Sequence, residues 1–220
     1  SNGWVLKNCT ISVTSNKAVL DVNSGTPSVG ASNATGVTSP DYYVESIYNT
    51  PATYSDYAGV WGRRVNFGAS DSDYYAAILN KNSQQAELYK RVSGLYSFLG
   101  SWILSPTGPA DSTDYTIRLT MNGSAISMDV AGVTRISVTD TDLTAQGDYG
   151  ITVLSGATTT GATWDNVVVG PTVGGTGAVV SWVGASISGA ATALAISSVS
   201  ALSAVGAAAQ TAVTNISATS

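Results

Sequence analysis

The chain has 220 residues, a net charge of −5, no histidine and one cysteine; 10% of residues are charged and 44% hydrophobic. Charged residues fall well below the roughly 25% of an ordinary globular domain, yet the apolar content is too high for a disordered chain. The nine cations form no basic stripe for nucleic acid, the missing histidine removes Ser-His-Asp and Cys-His nucleophile systems, and the lone Cys9 excludes an internal disulfide.

Only two glutamates occur, Glu45 and Glu87, which leaves little material for soluble amphipathic helices. In chain order, period-two alternation between turn residues predicts strands at 4–6, 10–13, 18–22, 42–48, 59–67, 74–80 and 86–91. It continues at 96–104, 115–121, 125–130, 134–138, 148–153 and 163–169. This spacing predicts an all-β fold, a two-sheet antiparallel jelly-roll sandwich of about a dozen strands. Asn122-Gly123 predicts a type I′ hairpin turn with positive φ at both residues, and Ala131-Gly132 repeats it, giving a meander over 115–138.

Charge placement divides the chain. Every charged residue lies at or before Asp165, and Gly170-Pro171 is followed by a Gly-rich stretch over 172–177. Residues 1–171 are therefore expected to fold as the sandwich. Residues 172–220 are expected to be a Gly-rich linker and an uncharged Ala/Ser/Val/Gly-rich C-terminal appendage for assembly or anchoring. Residues 178–196 are long enough to compare with a membrane span, but Ser, Thr and Gly and the lack of flanking Lys or Arg argue against one. Ile196, Val199, Leu202 and Val205 form a stripe that association of copies would bury. Spacing by three favours helix and the Ser/Thr/Val content favours strand; both stay open.

An ordered series of motifs then points to a family. Tyr42-Tyr43-Val44-Glu45 is followed by Ala58-Gly59-Val60-Trp61-Gly62-Arg63, Asp73-Tyr74-Tyr75-Ala76-Ala77 and Leu88-Tyr89-Lys90-Arg91. Asn122-Gly123-Ser124 and a closing Trp164-Asp165-Asn166-Val167-Val168-Val169 complete it. The series resembles the laminin G-like branch of the concanavalin A-like lectin/glucanase superfamily, as found in bacterial extracellular and phage virion proteins. The resemblance implies a jelly roll with one concave and one convex sheet, usually an accessory domain. The tail loosely resembles Ala/Ser/Val/Gly-rich terminal segments of phage virion proteins. The function expected is a non-catalytic extracellular structural or surface protein. It would be a virion subunit (capsid decoration or tail) or a filament subunit, located outside the cell or on the virion surface. Its partners would be copies of itself through 172–220, other virion or surface proteins, and cell-surface glycans. The alternative is a carbohydrate-binding accessory domain of a larger secreted bacterial protein.

Glycoside hydrolysis is the third reading, because the resemblance includes glucanases. Retaining hydrolysis needs two carboxylates about 5 Å apart, and in glucanases of this fold they lie on one strand as Glu-x-Asp-x-Glu or a near variant. Glu45 is followed at the matching positions by Ile47 and Asn49, and Glu87 by Tyr89 and Arg91, so no catalytic residue is assigned. For sugar binding, aromatic faces with polar neighbours are needed. Tyr43, Glu45, Trp61, Arg63, Tyr75 and Tyr89 fall on strands that could line the concave sheet, while Trp102 and Trp164 are assigned to the core. Relatives carry calcium, so Asp71, Asp73, Asp140 and Asp142 in acidic turns are candidate ligands. The competing role for each is a turn hydrogen bond to its own backbone.

Overall fold

The computed structural model describes residues 4–7, 9–22, 29–34, 37–51, 57–66, 72–104, 108–153, 163–172 and 180–182. These form fifteen strands and no helix. The first five are β1 (Val5–Lys7), β2 (Cys9–Thr14), β3 (Lys17–Val22), β4 (Val29–Asn33) and β5 (Tyr42–Asn49). A long meander follows as β6 (Tyr57–Val65), β7 (Asp73–Asn80), β8 (Gln85–Val92) and β9 (Leu95–Ile103). The chain continues with β10 (Asp114–Asn122), β11 (Ala125–Val130), β12 (Val133–Thr139), β13 (Asp148–Val153), β14 (Thr163–Pro171) and β15 (Val180–Trp182).

Two antiparallel sheets result, and the protein is an all-β jelly-roll sandwich. One sheet has seven strands in the order β1-β4-β13-β6-β7-β8-β9. The other has eight, in the order β12-β11-β10-β5-β14-β3-β2 with β15 also paired to β14. Alternation sets the facing of each strand: on β5, Tyr42, Val44, Ser46 and Tyr48 are buried while Tyr43, Glu45, Ile47 and Asn49 are half-buried. The main core lies between the sheets, where Val44, Ile117 and Leu119 meet Val60, Ala77 and Leu88. Trp164 crosses it, donating from Nε1 to the carbonyl of Gly59 at 3.2 Å. Burying an indole of this kind supplies on the order of 5 kcal/mol of gross transfer free energy.

The seven-stranded sheet is also buried on its outer face. Trp61, Tyr74, Ala76 and Ile78 form a second apolar cluster there, separate from the main core. Glycine makes this packing possible. A β-carbon on Gly150 would lie 2.6 Å from Trp61 Nε1, and one on Gly30 would lie 2.6 Å from the indole rim, so the ring rests directly on backbone.

Each strand expected from the sequence is present. Two were not foreseen. β4 is Val-Gly-Ala-Ser-Asn, in which buried Gly30, Ala31, Ser32 and Asn33 give no alternation to detect. β15 falls within the segment assigned to the appendage, so β14 is paired beyond residue 171. The rest of that appendage, 173–179 and 183–220, lies outside the described residues, as does its expected role. The turn at Asn122-Gly123 differs from expectation. Asn122 pairs with Ala125, leaving Gly123-Ser124 as the central residues with positive φ at Gly123 alone, the type II′ pattern. The type I′ turn is the next one, with Ala131 at φ 53 and Gly132 at φ 76. Ser93-Gly94 repeats that geometry between β8 and β9, at φ 49 and 82.

Candidate functional site

The meander β6–β9 sets side chains in cross-strand rows on the outer face of the seven-stranded sheet. One row runs Trp61, Ala76, Tyr89, Phe98, with each residue opposite the next in register. Beside it run Ile78, Glu87, Ser101 and then Tyr57, Asn80, Gln85, Ile103. On the other flank lie Tyr74, Arg91 and Tyr96. Exposure grades along the first row: Trp61 and Ala76 are buried, Tyr89 is half-buried and Phe98 is exposed. The Tyr89 and Phe98 rings meet edge to face with centroids 5.4 Å apart.

Glu87 is the polar centre of this surface. It is buried, with 4% exposure, and three neutral donors hold its carboxylate. Asn80 Nδ2 donates to Oε1 at 2.8 Å, Ser83 Oγ donates to the same oxygen at 2.6 Å, and the Tyr89 hydroxyl donates to Oε2 at 2.9 Å. Burial, then the bond to Glu87, pushes the Tyr89 phenol upward from its ordinary value. The turn between β7 and β8 supports the network, because Asn80 Oδ1 accepts the backbone N–H of Ser83 at 3.0 Å.

On the opposite flank a β-bulge in β6 directs Arg63 and Arg64 to different surfaces. Arg64 stacks on Trp61 at 3.6 Å from the ring centroid and donates to Ser72 Oγ at 3.0 Å. Burial brings its pKa down to about 10. Arg91 donates to the carbonyl of Ser72 at 2.9 Å and lies over Tyr96. The Tyr74 and Tyr96 hydroxyls are 2.9 Å apart.

The residues proposed from the sequence are distributed over three surfaces. Trp61 and Tyr89 belong to the rows just described. Tyr43 and Glu45 project from the outer face of the other sheet, where Arg118 lies 4.3 Å from the Tyr43 ring centroid and donates from Nε to Glu45 at 2.8 Å. Arg63 and Tyr75 lie at the rim between the sheets. The Arg63 side chain is wholly buried and donates to the carbonyls of Pro40 (2.9 Å), Gly123 (2.8 Å) and Leu143 (2.7 Å) and to Asp41 Oδ1 (3.1 Å). It ties three loops together. Tyr75 donates to Asp140 Oδ1 at 2.6 Å and accepts from the Leu143 N–H at 3.3 Å. Tyr57, Asn80, Glu87 and Phe98 were not proposed as sugar-binding residues. A usable signal existed, since the two-residue turn at Ser93-Gly94 sets Tyr89 opposite Phe98.

The acidic turns have other partners. Lys90 Nζ bonds both Asp140 Oδ2 and, at 2.6 Å, Asp142 Oδ2, so an ammonium stands between the two carboxylates offered as calcium ligands. Asp73 Oδ1 accepts the Ser93 N–H at 2.6 Å, and Asp71 lies outside the described residues. Among the described residues no group of three or more His, Cys, Asp or Glu could hold a metal ion. No helix among them is long and apolar enough to cross a membrane.

No family model and no curated protein matches the sequence. Solved structures do match by fold. The carbohydrate binding module CBM66 from Bacillus subtilis aligns at TM-score 0.61 and 17% identity, over 76% of this chain and 95% of that one. The exoplasmic/lumenal domain of VIP36, in its Ca2+/Man3GlcNAc-bound form, aligns at 0.53 and 11%, over 76% and 81%. A beta-glucanase of Bacillus licheniformis aligns at 0.50 and 14%, over 74% and 89%. The fold is thus a galectin-like, concanavalin A-like jelly roll.

Proposed function

We propose that the chain is a non-catalytic carbohydrate-binding module of a secreted or lumenal protein, which holds glycan on the outer face of its seven-stranded sheet. The observation that carries this reading is the row Trp61–Ala76–Tyr89–Phe98 beside the Glu87 network. Phe98 and Tyr89 offer ring faces and edges to the C–H surface of a sugar, the exposed Ser83 and Ser101 offer hydroxyls to it, and the buried Glu87 and Asn80 beneath them fix the Ser83 and Tyr89 hydroxyls in orientation. That CBM66 is a carbohydrate binding module, and that VIP36 was solved with Man3GlcNAc, supports the choice of ligand class.

Carboxylate placement supports binding without hydrolysis. Among the described residues, the network around Glu87 holds only Asn80, Ser83 and Tyr89 as partners and no second carboxylate, and Asp148 on β13 accepts from Ser32 Oγ at 3.4 Å. Three strand intervals separate β13 from β8, about 14 Å at ordinary strand spacing, too far for a glycosidase pair. The proposed contact calls on no calcium: Asp140 and Asp142 are paired with Lys90, and Asp73 accepts the Ser93 N–H. The laminin G-like assignment rests on the sequence motifs. A virion or filament role rests on 172–220 and would be supported by loss of an assembled state on deleting 183–220.

The deciding experiment is a glycan array with the full chain, followed by calorimetry on the best ligand with wild type and Phe98→Ala. Affinity is expected to fall about tenfold, near 1.4 kcal/mol, on loss of the ring. Equal affinity for the variant, or an array with no binding at all, would sink the proposal.

A further inference from the structure

We propose that β9 is an association edge, along which two copies of this chain pair antiparallel about a twofold axis and join their seven-stranded sheets into one. This rests on the edge itself and not on the glycan reading. β9 ends the strand order of its sheet, so among the described residues no strand covers its far side. Such an edge presents a row of backbone donors and acceptors to any strand that fits.

The side chains mark this edge out. Its nine residues, Leu-Tyr-Ser-Phe-Leu-Gly-Ser-Trp-Ile, include no charge and no proline. Leu95 is 74% exposed, Ile103 62%, Phe98 56% and Tyr96 40%, which is half of the exposed large hydrophobics among the described residues. The other edges are protected in ways β9 is not. β1 has three residues, β12 carries the charged Arg135, and β2 presents Thr10, Ser12 and Thr14 to solvent.

The occupant is a second copy because the strand complements its own reverse. A register shift at Leu99 changes the alternation, so Tyr96 and Phe98 before it and Ser101 and Ile103 after it all belong to the outer face. Antiparallel self-pairing about a point between Leu99 and Gly100 sets Tyr96 against Ile103 of the partner subunit and Phe98 against Ser101 of the partner subunit. Leu99 then faces Gly100 of the partner subunit on the inner side, where the glycine leaves room. No strand charge meets its own copy, which matters in a chain of net charge −5. The core need not open, since Arg135 already closes over Trp102 at 4.0 Å. The interface is isologous and closes at two subunits.

The test is the solution mass of the full chain, 22.3 kDa per copy, by sedimentation over a wide concentration range, for wild type and Ile103→Lys. Ile103 is exposed, so the variant should fold, and an unchanged circular dichroism spectrum and unfolding midpoint would establish that it does. A wild-type dimer that Ile103→Lys weakens by roughly a hundredfold is the expected result. A wild type that stays monomeric overturns the proposal, and so does a dimer that the folded variant leaves intact. Ser97→Lys, on the same strand but the other face, is expected to weaken the dimer likewise. Glycan affinity measured on Ser97→Lys, whose side chain lies off the glycan face, keeps the two proposals separable: glycan binding there and in a wild type that stays monomeric would sink only this one.

Discussion

The Tyr89 hydroxyl donates to Glu87 Oε2 at 2.9 Å, from two residues further along the same face of β8. The phenol thereby fixes the orientation of a buried carboxylate while its ring packs on Phe98. Tyr89→Phe should keep the ring contact and lose the donor, destabilising the fold by about 1–2 kcal/mol in chemical denaturation. Glu87→Gln keeps the shape but turns one acceptor into a donor facing other donors, and should cost a similar amount. Glycan affinity should fall more in Glu87→Gln than in Tyr89→Phe, which calorimetry would read directly.

Lys90 and Asp140 stabilise the rim within a definite pH window. Burial alone would raise the Asp140 carboxyl, but hydrogen bonds from Lys90 and Tyr75 outweigh it and hold the group below its ordinary 3.8. Hydrogen bonds to Asp140 and Asp142 raise Lys90 above 10.5. The depressed acid contributes stability above 3.8 that is lost as pH falls through its folded value. The raised base contributes stability below 10.5 that is lost as pH rises through its folded value. Urea midpoints across pH should show this plateau for wild type. In Lys90→Met they should be lower at neutral pH, by about 3 kcal/mol, with a shallower acid limb.

Arg63 holds four acceptors from Pro40, Asp41, Gly123 and Leu143 with one planar group. A lysine ammonium cannot reach that set, so Arg63→Lys should be nearly as damaging as Arg63→Ala. Both should cost about 3 kcal/mol or more, since each leaves buried carbonyls without donors. Recovery of wild-type stability in Arg63→Lys would show that charge alone matters there.

Ala131 occupies the left-handed region at φ 53, where a β-carbon costs about 1 kcal/mol. It is exposed, at the first central position of a type I′ turn. Ala131→Asn and Ala131→Gly should both raise the unfolding midpoint, and a fall in either would show that this backbone carries no strain.

The strands were legible because most of them alternate, and alternation survives in a sequence regardless of which sheet a strand joins. β4 was hidden because Gly30, Ala31, Ser32 and Asn33 are buried on both faces, so no period marks them. The site was legible one residue at a time but not as a group. Tyr43 and Trp61 are both aromatic strand residues near small or charged neighbours, and nothing local says that they belong to opposite sheets. Arg63 was misleading for a physical reason: a bulge turns it toward loop carbonyls, and a bulge displays its consequence only through pairing partners far away in sequence. Asp140 and Asp142 looked like metal ligands because an acidic turn has the same composition whether an ion or Lys90 neutralises it.

The position of β14 between β5, β3 and β15 has a consequence for how this protein comes to exist. Ser46 on β5 bonds the carbonyl of Asp165 on β14, 119 residues later. The eight-stranded sheet therefore cannot close before β14 has been made, and the early strands wait with one edge open until it emerges. Such non-local pairing makes folding slow and exposes unpaired strands to neighbours. Yield should then depend on synthesis rate and temperature more than on the stability of the finished sandwich.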